Sequence, residues 1–555
     1  MAGLADEGML YKAKETLRVF AERRPSLRQL WANRSQRFEQ AHAILPSTAT
    51  AGESLSLTLQ AWDQCERLVE NFDGAFELDA TDDEATYPDR IRFPARNGGV
   101  ATVRDLSFET PGIQYLTLTH VDSGERFVAN PVRVTAESPT QRIFWGDIHF
   151  HSHLSDGCGK PEDAMRFGRD VMDLDVVACT DHDTMGFFIP PRLQRRRMHR
   201  RYFERLQNTA DEFDDPGEFV ALFGYEWTKQ PNVGGHINVY FDDTEGAKLY
   251  DSISEGSNTY EKLFERLRAF NDADGTQALA IPHHTAEGTY PFDFASTDYD
   301  DEIAPMAEVY SQWGSSERPG KDGNRHPILM GQGEAEEPGH YIRDALRMGY
   351  RTGLMGSSDF HGPRPGHSLL HADPHLPSLS EWRRGGLGWG NIWRIWNEPS
   401  YPGGLTAFRA PELTREAVFE SLRSRRVYAT SQPHRILLEF SVDGVSVGQQ
   451  DSTVTVDAAD APREISIDVA GTAPIARATV VKNNEAWRTF EGTDDTEADL
   501  EAYTLQQAWT DDESVTGMDW DDDRGTDADV YYLRLRQADG GMAWAGPLWV
   551  EVAGA

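Results

Sequence analysis

The sequence predicts an α/β fold, a parallel barrel flanked by small β-sandwich modules, and three observations carry that expectation. First, residues 145–156 read W-G-D-I-H-F-H-S-H-L-S-D, which puts Asp147, His149, His151 and His153 on every second position. Side chains two apart on a strand share a face, so one face offers a carboxylate and three imidazoles as metal ligands. Second, acids and histidines recur just after short apolar runs. Thr180-Asp181-His182-Asp183 follows 176–179, Glu226 follows 219–223, Pro282-His283-His284 follows 278–281, and Ser358-Asp359-Phe360-His361 follows 353–355. His236, after Gly234 and Gly235, opens the run 237–241, and Glu308 lies in the run 307–310. Short strands separated by helix-length segments and ending in polar residues are the pattern of a parallel α/β barrel with its site at the strand ends. Third, apolar residues alternate on both sides of this region, as expected of half-buried antiparallel strands.

Taken in order, residues 1–44 form an N-terminal helical segment. Its first part is charged and amphipathic, with Leu10, Leu17, Val19 and Phe20, and lacks the apolar core of a secretory signal, so the sequence predicts a cytoplasmic location. Residues 45–138 are expected to be a β-sandwich module, since Leu55, Leu57, Leu59, Leu116, Leu118, Val132 and Val134 alternate with polar neighbours between Gly and Asp turns. The barrel spans 139–431. A second sandwich module is predicted over 432–555, where Ile465, Ile467 and Val469 alternate again. The Gly- and Trp-rich stretches 313–341 and 373–410 are expected to wall the pocket, with Trp389, Trp393 and Trp396 available to a ring.

Charge narrows the partners. Asp and Glu total 91 against 54 Lys and Arg, a net charge of -37. Self-repulsion on that scale is tolerated only where salt screens it, so the composition predicts a halophilic protein. It also counts against an extended nucleic-acid partner, because phosphate backbones are bound by Lys and Arg surfaces. The exception is 192–205, R-L-Q-R-R-R-M-H-R-R-Y-F-E-R, either a helical face paired to acids or a lid reaching toward an anionic substrate. No run of about 18 uncharged apolar residues exists, so no membrane span is expected. Only Cys65, Cys158 and Cys179 are present, too few and too odd for a disulfide framework.

The order H-x-H, S-D-G, T-D-H, strand-end Glu, Gly-flanked His, another His and finally S-D-x-H resembles the PHP (polymerase and histidinol phosphatase) superfamily, with a match over about 145–430. The stretches 404–431 and from Tyr531 onward resemble a PHP branch catalogued only as a domain of unknown function. The resemblance implies a distorted (β/α)7 barrel binding two or three divalent metals, and the mixture of histidines and carboxylates suits Mn, Zn or Fe. It implies His149, His151, Glu226 and Asp359 at a first metal, with Glu226 bridging. His182 and His361, with Asp156, hold a second, and His236 with His283 or His284 a third. Asp181 and Asp183 would orient neighbouring histidines.

From this follows the expected function, a metal-dependent phosphoesterase acting on a small anionic substrate. Clustered ions lower the pKa of a shared water and neutralise charge growing on phosphoryl oxygens. Arg364 in H-G-P-R-P-G is the expected clamp for a nonbridging oxygen, while Asp359 or His361 moves protons. The alternatives are hydrolysis of a C–N or C–O bond by the same activated water, and a noncatalytic protein whose metals hold a ligand.

Overall fold

A computed structural model describes residues 17, 21, 26–94, 96–186, 189–273, 275–368, 373–376 and 399–554. Most of the first 25 residues and the tryptophans at 389, 393 and 396 lie outside the described residues. The N-terminal sandwich begins at Phe38–Ile44, which pairs antiparallel with Leu55–Asp63, itself paired with Val100–Leu106. A second sheet runs Arg90–Arg92, Ala75–Ala80, Leu116–His120, Arg126–Val128. The alternating residues Leu57, Leu59, Phe76, Leu116 and Leu118 meet between the sheets in a core of their own.

The centre of the chain departs from the predicted barrel. The protein is β-rich, 37% strand and 16% helix, and its strands are divided among several open sheets that do not close. The predicted strands do form, as Arg142–Phe150, Val176–Cys179, Phe223–Thr228, His236–Phe241, Ala278–His283, Met306–Ser311 and Gly353–Gly356. Their pairing is what differs. Arg142–Phe150 is parallel to Val176–Cys179, but Phe223–Thr228, His236–Phe241 and Ala278–His283 form a separate antiparallel sheet. Only residues 229–235 connect the first two of these strands. A parallel crossover needs a dozen or more residues, so that link permits only a hairpin. Between Ala278–His283 and Met306–Ser311 the expected helix is replaced by irregular chain. Leu405–Ala410 then adds antiparallel to Arg142–Phe150 and passes the sheet through Val427–Thr430 to Met542–Val552. One ten-stranded open sheet therefore joins the central region to the C-terminal module. The α/β (β/α)7 expectation is overturned.

The C-terminal module holds a buried charge network. Arg463, fully buried, donates to Asp511 and to the Tyr531 hydroxyl, and Lys482 reaches Asp511 and Asp529. Outside this network the acids are solvated, as at Asp519, Asp521, Asp522 and Asp523, all exposed. Their mutual repulsion acts over about 10 Å at 0.1 M salt and over about 3 Å at 1 M. Raising potassium chloride from 0.1 M to 2 M is expected to lift the thermal midpoint by roughly 10 °C, since several kcal/mol are regained and about 1 kcal/mol moves a midpoint by about 2–4 °C. A differential scanning calorimetry series showing no shift would refute it.

Candidate metal centre

The ends of the central strands converge on Glu226. Its carboxylate is fully buried and the two oxygens face different sets of imidazoles. Oε1 lies 2.9 Å from His182 Nδ1 and 2.8 Å from His236 Nδ1. Oε2 lies 3.2 Å from His149 Nε2, 3.1 Å from His151 Nε2 and 3.4 Å from His283 Nε2. The sheets explain this placement. Glu226 and His236 sit on paired strands, His236 is in register with His283, and an isolated parallel bridge joins His182 to Glu226. Asp359 follows Gly353–Gly356, and its amide donates to the His149 carbonyl at 2.8 Å. Its Oδ1 stands 3.2 Å from His151 Nε2 and 3.4 Å from His149 Nε2. Asp156 Oδ1 lies 3.2 Å from His182 Nε2 and 3.4 Å from His361 Nε2.

All ten residues assigned as ligands from the sequence fall into five overlapping groups whose ligand atoms lie within 4.8 Å of one another. They are His151, Asp156, His182 and His361; His236, His283 and His284; His149, His283 and Asp359; His149, His151 and Glu226; and His182, Glu226 and His236. The two histidines after Pro282 thus both enter the cluster. Both ring nitrogens of His151 and of His283, Nδ1 of His284 and Oδ1 of Asp359 are buried without a hydrogen bond. Buried polar atoms are rarely left so, and lone pairs aimed at shared points fit cations. Burial alone opposes the charge on Glu226, yet His182, His283 and His236 outweigh it and hold the carboxyl well below its usual range. Burial drives His284 well below its ordinary value, reinforced by His283 and His236. Burial likewise lowers His236 to about 4.

Surrounding groups orient the side chains of the cluster. Glu308 accepts from His149 Nδ1 at 2.8 Å and from the Ser357 hydroxyl, which fixes the ring so that Nε2 points into the cluster. Thr228 donates to Glu226 Oε1 at 2.9 Å and contacts His182 Nδ1 at 2.8 Å. Asp181 accepts the amides of Ser152 and Ser155, shaping the turn that presents Asp156. Asp183 accepts from the Thr228 and Ser252 amides and binds strand to loop instead of orienting His182. Asp147 accepts the Ser358 and Gly366 amides, so it secures the loop bearing Asp359 and His361 and takes no place among the metal-competent groups. His153 is exposed and contacts the Gly159 carbonyl. The strand ends at Phe150, and the alternation that put His153 on the ligand face ends with it. Trp313 opens the stretch expected to wall the pocket, and its buried indole donates to Asp359 Oδ2 at 2.8 Å, a contact the sequence did not single out. The φ angles of His284 (34°) and Asp359 (48°) are positive, a conformation disfavoured for residues with a Cβ and common at functional sites.

Arg364 is nearly buried, donating to the Glu66 carbonyl at 3.4 Å and lying over the Phe167 ring. These contacts tie the loop after His361 to the N-terminal sandwich. The arginine-rich segment is helical over Pro191–Arg197 and Phe203–Phe213, with a π-helical turn, Met198–Tyr202, between. Buried Gln194 donates to the Leu154 carbonyl at 2.8 Å and the His182 carbonyl at 3.4 Å, which seats the helix against the cluster backbone. Arg195 and His199 pair with Asp251, and Arg205 with Glu162, whereas Arg192, Arg196 and Arg200 are exposed to solvent. Arg192 and Arg196 lie two residues either side of Gln194, close to half a helical turn away, so they point outward instead of closing over the cluster.

Among known proteins, the model of a family described as a protein of unknown function, DUF3604, matches residues 171–311 and 330–462. An uncharacterised protein of Chlamydia pneumoniae is 26% identical over 459 residues, and one of Chlamydia trachomatis is 25% identical over 457. Each alignment covers 82% of this chain, which spans 64% of the relatives' length. Of solved structures, a β-glucuronidase of Parabacteroides merdae aligns over 93% of this chain and 64% of its own at 9% identity, with a TM-score of 0.18. The D0-D1 domain of intimin aligns over 19% of this chain and 49% of its own at 18% identity, with a TM-score of 0.15. Neither superposition is close enough to carry an argument. The PHP resemblance does not survive: the matching family is one of unknown function, and the β-rich, unclosed architecture is not a PHP barrel. Among the described residues, no helix is long and apolar enough to cross a membrane.

Proposed function

We propose that this chain is a metal-dependent hydrolase that cleaves a phosphoric ester at a polynuclear centre, in which Glu226 would be the carboxylate shared between two metal positions. The observation that carries this reading is the division of the Glu226 oxygens, one between His182 and His236, the other among His149, His151 and His283. With His182 turned to offer Nε2 to Asp156, Oε1 would meet a cation at His236 and Oε2 one at His149 and His151, so a carboxylate so placed suits two cations, not one. His149, His151 and Asp359 would complete one position, His182 with Asp156 and His361 a second, and His236, His283 and His284 a third. Ions held there would supply the Lewis acidity that activates water and stabilises charge on an ester oxygen. A mixture of imidazole and carboxylate suits Zn, Mn or Fe.

Charge favours an anionic substrate. Glu226, Asp359 and Asp156 bring three negative charges, against which two or three dications leave a surplus of one to three. With Glu308 counted, a trinuclear centre is still positive. Asp156 and His361, 7% and 8% exposed, form the rim, while Glu226, His149, His151 and His283 are sealed at 0%. Substrate therefore approaches from the rim. Elemental analysis is expected to find at least two divalent ions per chain, and aryl phosphates to turn over faster than lactones or anilides when manganese is added. A single ion per chain ends the polynuclear reading. Preference for the lactone or anilide moves the bond cleaved to C–O or C–N, and inertness toward the whole panel favours a noncatalytic ligand-binding protein.

A further inference from the structure

Asp359 has two oxygens with different surroundings. Oδ1 faces His149 and His151 and makes no hydrogen bond. Oδ2 accepts the Trp313 indole N–H at 2.8 Å, in a site where Trp313 is 3% exposed, and stands 3.9 Å from His283 Nδ1. The neighbouring Gln312 side chain donates to the Asp359 carbonyl, and the Gln312 backbone N–H donates to the Ser358 carbonyl at 3.1 Å. These bonds hold Asp359 at its positive φ.

We infer that Trp313 is a positioning residue that confines Asp359 to one-oxygen ligation. Its N–H occupies the lone pair that would otherwise swing toward the same cation as Oδ1, because a carboxylate free at both oxygens readily binds in bidentate fashion. Restricting Asp359 to Oδ1 keeps the coordination number low and leaves a position for water or substrate, the condition that separates catalytic from closed structural sites. The inference rests on the polynuclear reading above. The metal ligands are unchanged by it; what it adds is the residue that sets how one of them binds.

Coordination number is visible in cobalt, whose d–d absorption weakens as four- or five-coordinate geometry gives way to six-coordinate. The full chain is loaded with Co(II), and the wild type is compared with Trp313→Phe and with a variant carrying benzothienylalanine at 313, which keeps the indole shape but has sulfur in place of N–H. Both variants are expected to bind as much cobalt as the wild type, with visible absorption reduced by about two-fold or more as Oδ2 joins the metal. If Trp313→Phe does not fold, the isosteric variant decides alone. An unchanged spectrum in it overturns the role of the N–H, and so does loss of cobalt, since freeing Oδ2 should add a donor. Failure of the wild type to bind cobalt defeats the polynuclear reading instead.

Discussion

Glu226→Gln is expected to remove most of the bound metal and to lower turnover of an aryl phosphate by more than about 100-fold. Loss of a group that merely orients a ligand costs about 10–100-fold, and Glu226 is placed to touch two metal positions directly. The amide keeps the size of the carboxylate but loses its charge and offers one oxygen where two are required. Five imidazoles surround this group within 3.4 Å, and without its charge only Asp359 and Asp156 among the assigned ligands offset the cations. Circular dichroism separates this from unfolding, because glutamine still accepts from Thr228. The decisive reading is metal content by plasma emission beside turnover. A variant that kept its full metal complement would show that Glu226 is not a ligand. Full activity with metal retained would place the chemistry elsewhere.

Much of this centre was legible in the sequence, and the reason is local. A polar residue that turns inward from a buried strand, or opens the loop after it, stands out as an acid or histidine beside an apolar run; His149 and Glu226 lie inside their strands, His182 and Asp359 beyond them. That is how His149, His182, Glu226, His283 and Asp359 stood out, and those strands form. What the sequence did not disclose depends on partners far away in the chain. Glu308 reads equally as an acid facing substrate or as a structural one until His149, 159 residues distant, appears at its carboxylate. Trp313 looked like one tryptophan among fourteen. Its distinction is a neighbour 46 residues on.

The barrel expectation failed for a different reason. Apolar runs announce strands but not which strands they pair with, and a seven-residue link at 229–235 weighs more than the rhythm of the runs. That link was countable in the sequence, whereas the continuation of the central sheet through Leu405–Ala410 into Met542–Val552 was not. The arginine-rich segment gave a similar lesson. Its helix formed, but the burial of Gln194 decides which side faces the cluster, and no charge count reveals that.

Metal removal is expected to unfold the centre of the protein selectively. A ligand bound only to the folded state stabilises it by about 4 kcal/mol when its concentration is 1,000 times its dissociation constant, so two tightly held ions contribute roughly 8 kcal/mol. Their loss leaves the carboxylates of Glu226, Asp359 and Glu308 buried with only the neighbouring imidazoles to offset them, and a buried charge that is poorly compensated costs several kcal/mol. Chelation should therefore lower the melting transition of the central region by about 15 °C or more. The N-terminal sandwich should behave differently, because most of its core, from Ala41 to Val134, forms a cluster apart from those beneath the candidate site. Calorimetry before and after exhaustive treatment with EDTA distinguishes the two, since multidomain chains can melt in resolved steps. One component should move and one should stay, with re-added manganese or zinc restoring the first. If confirmed removal of metal left both components in place, the clustered imidazoles would be held by protons and packing alone, and the metal-dependent reading would lose its energetic basis.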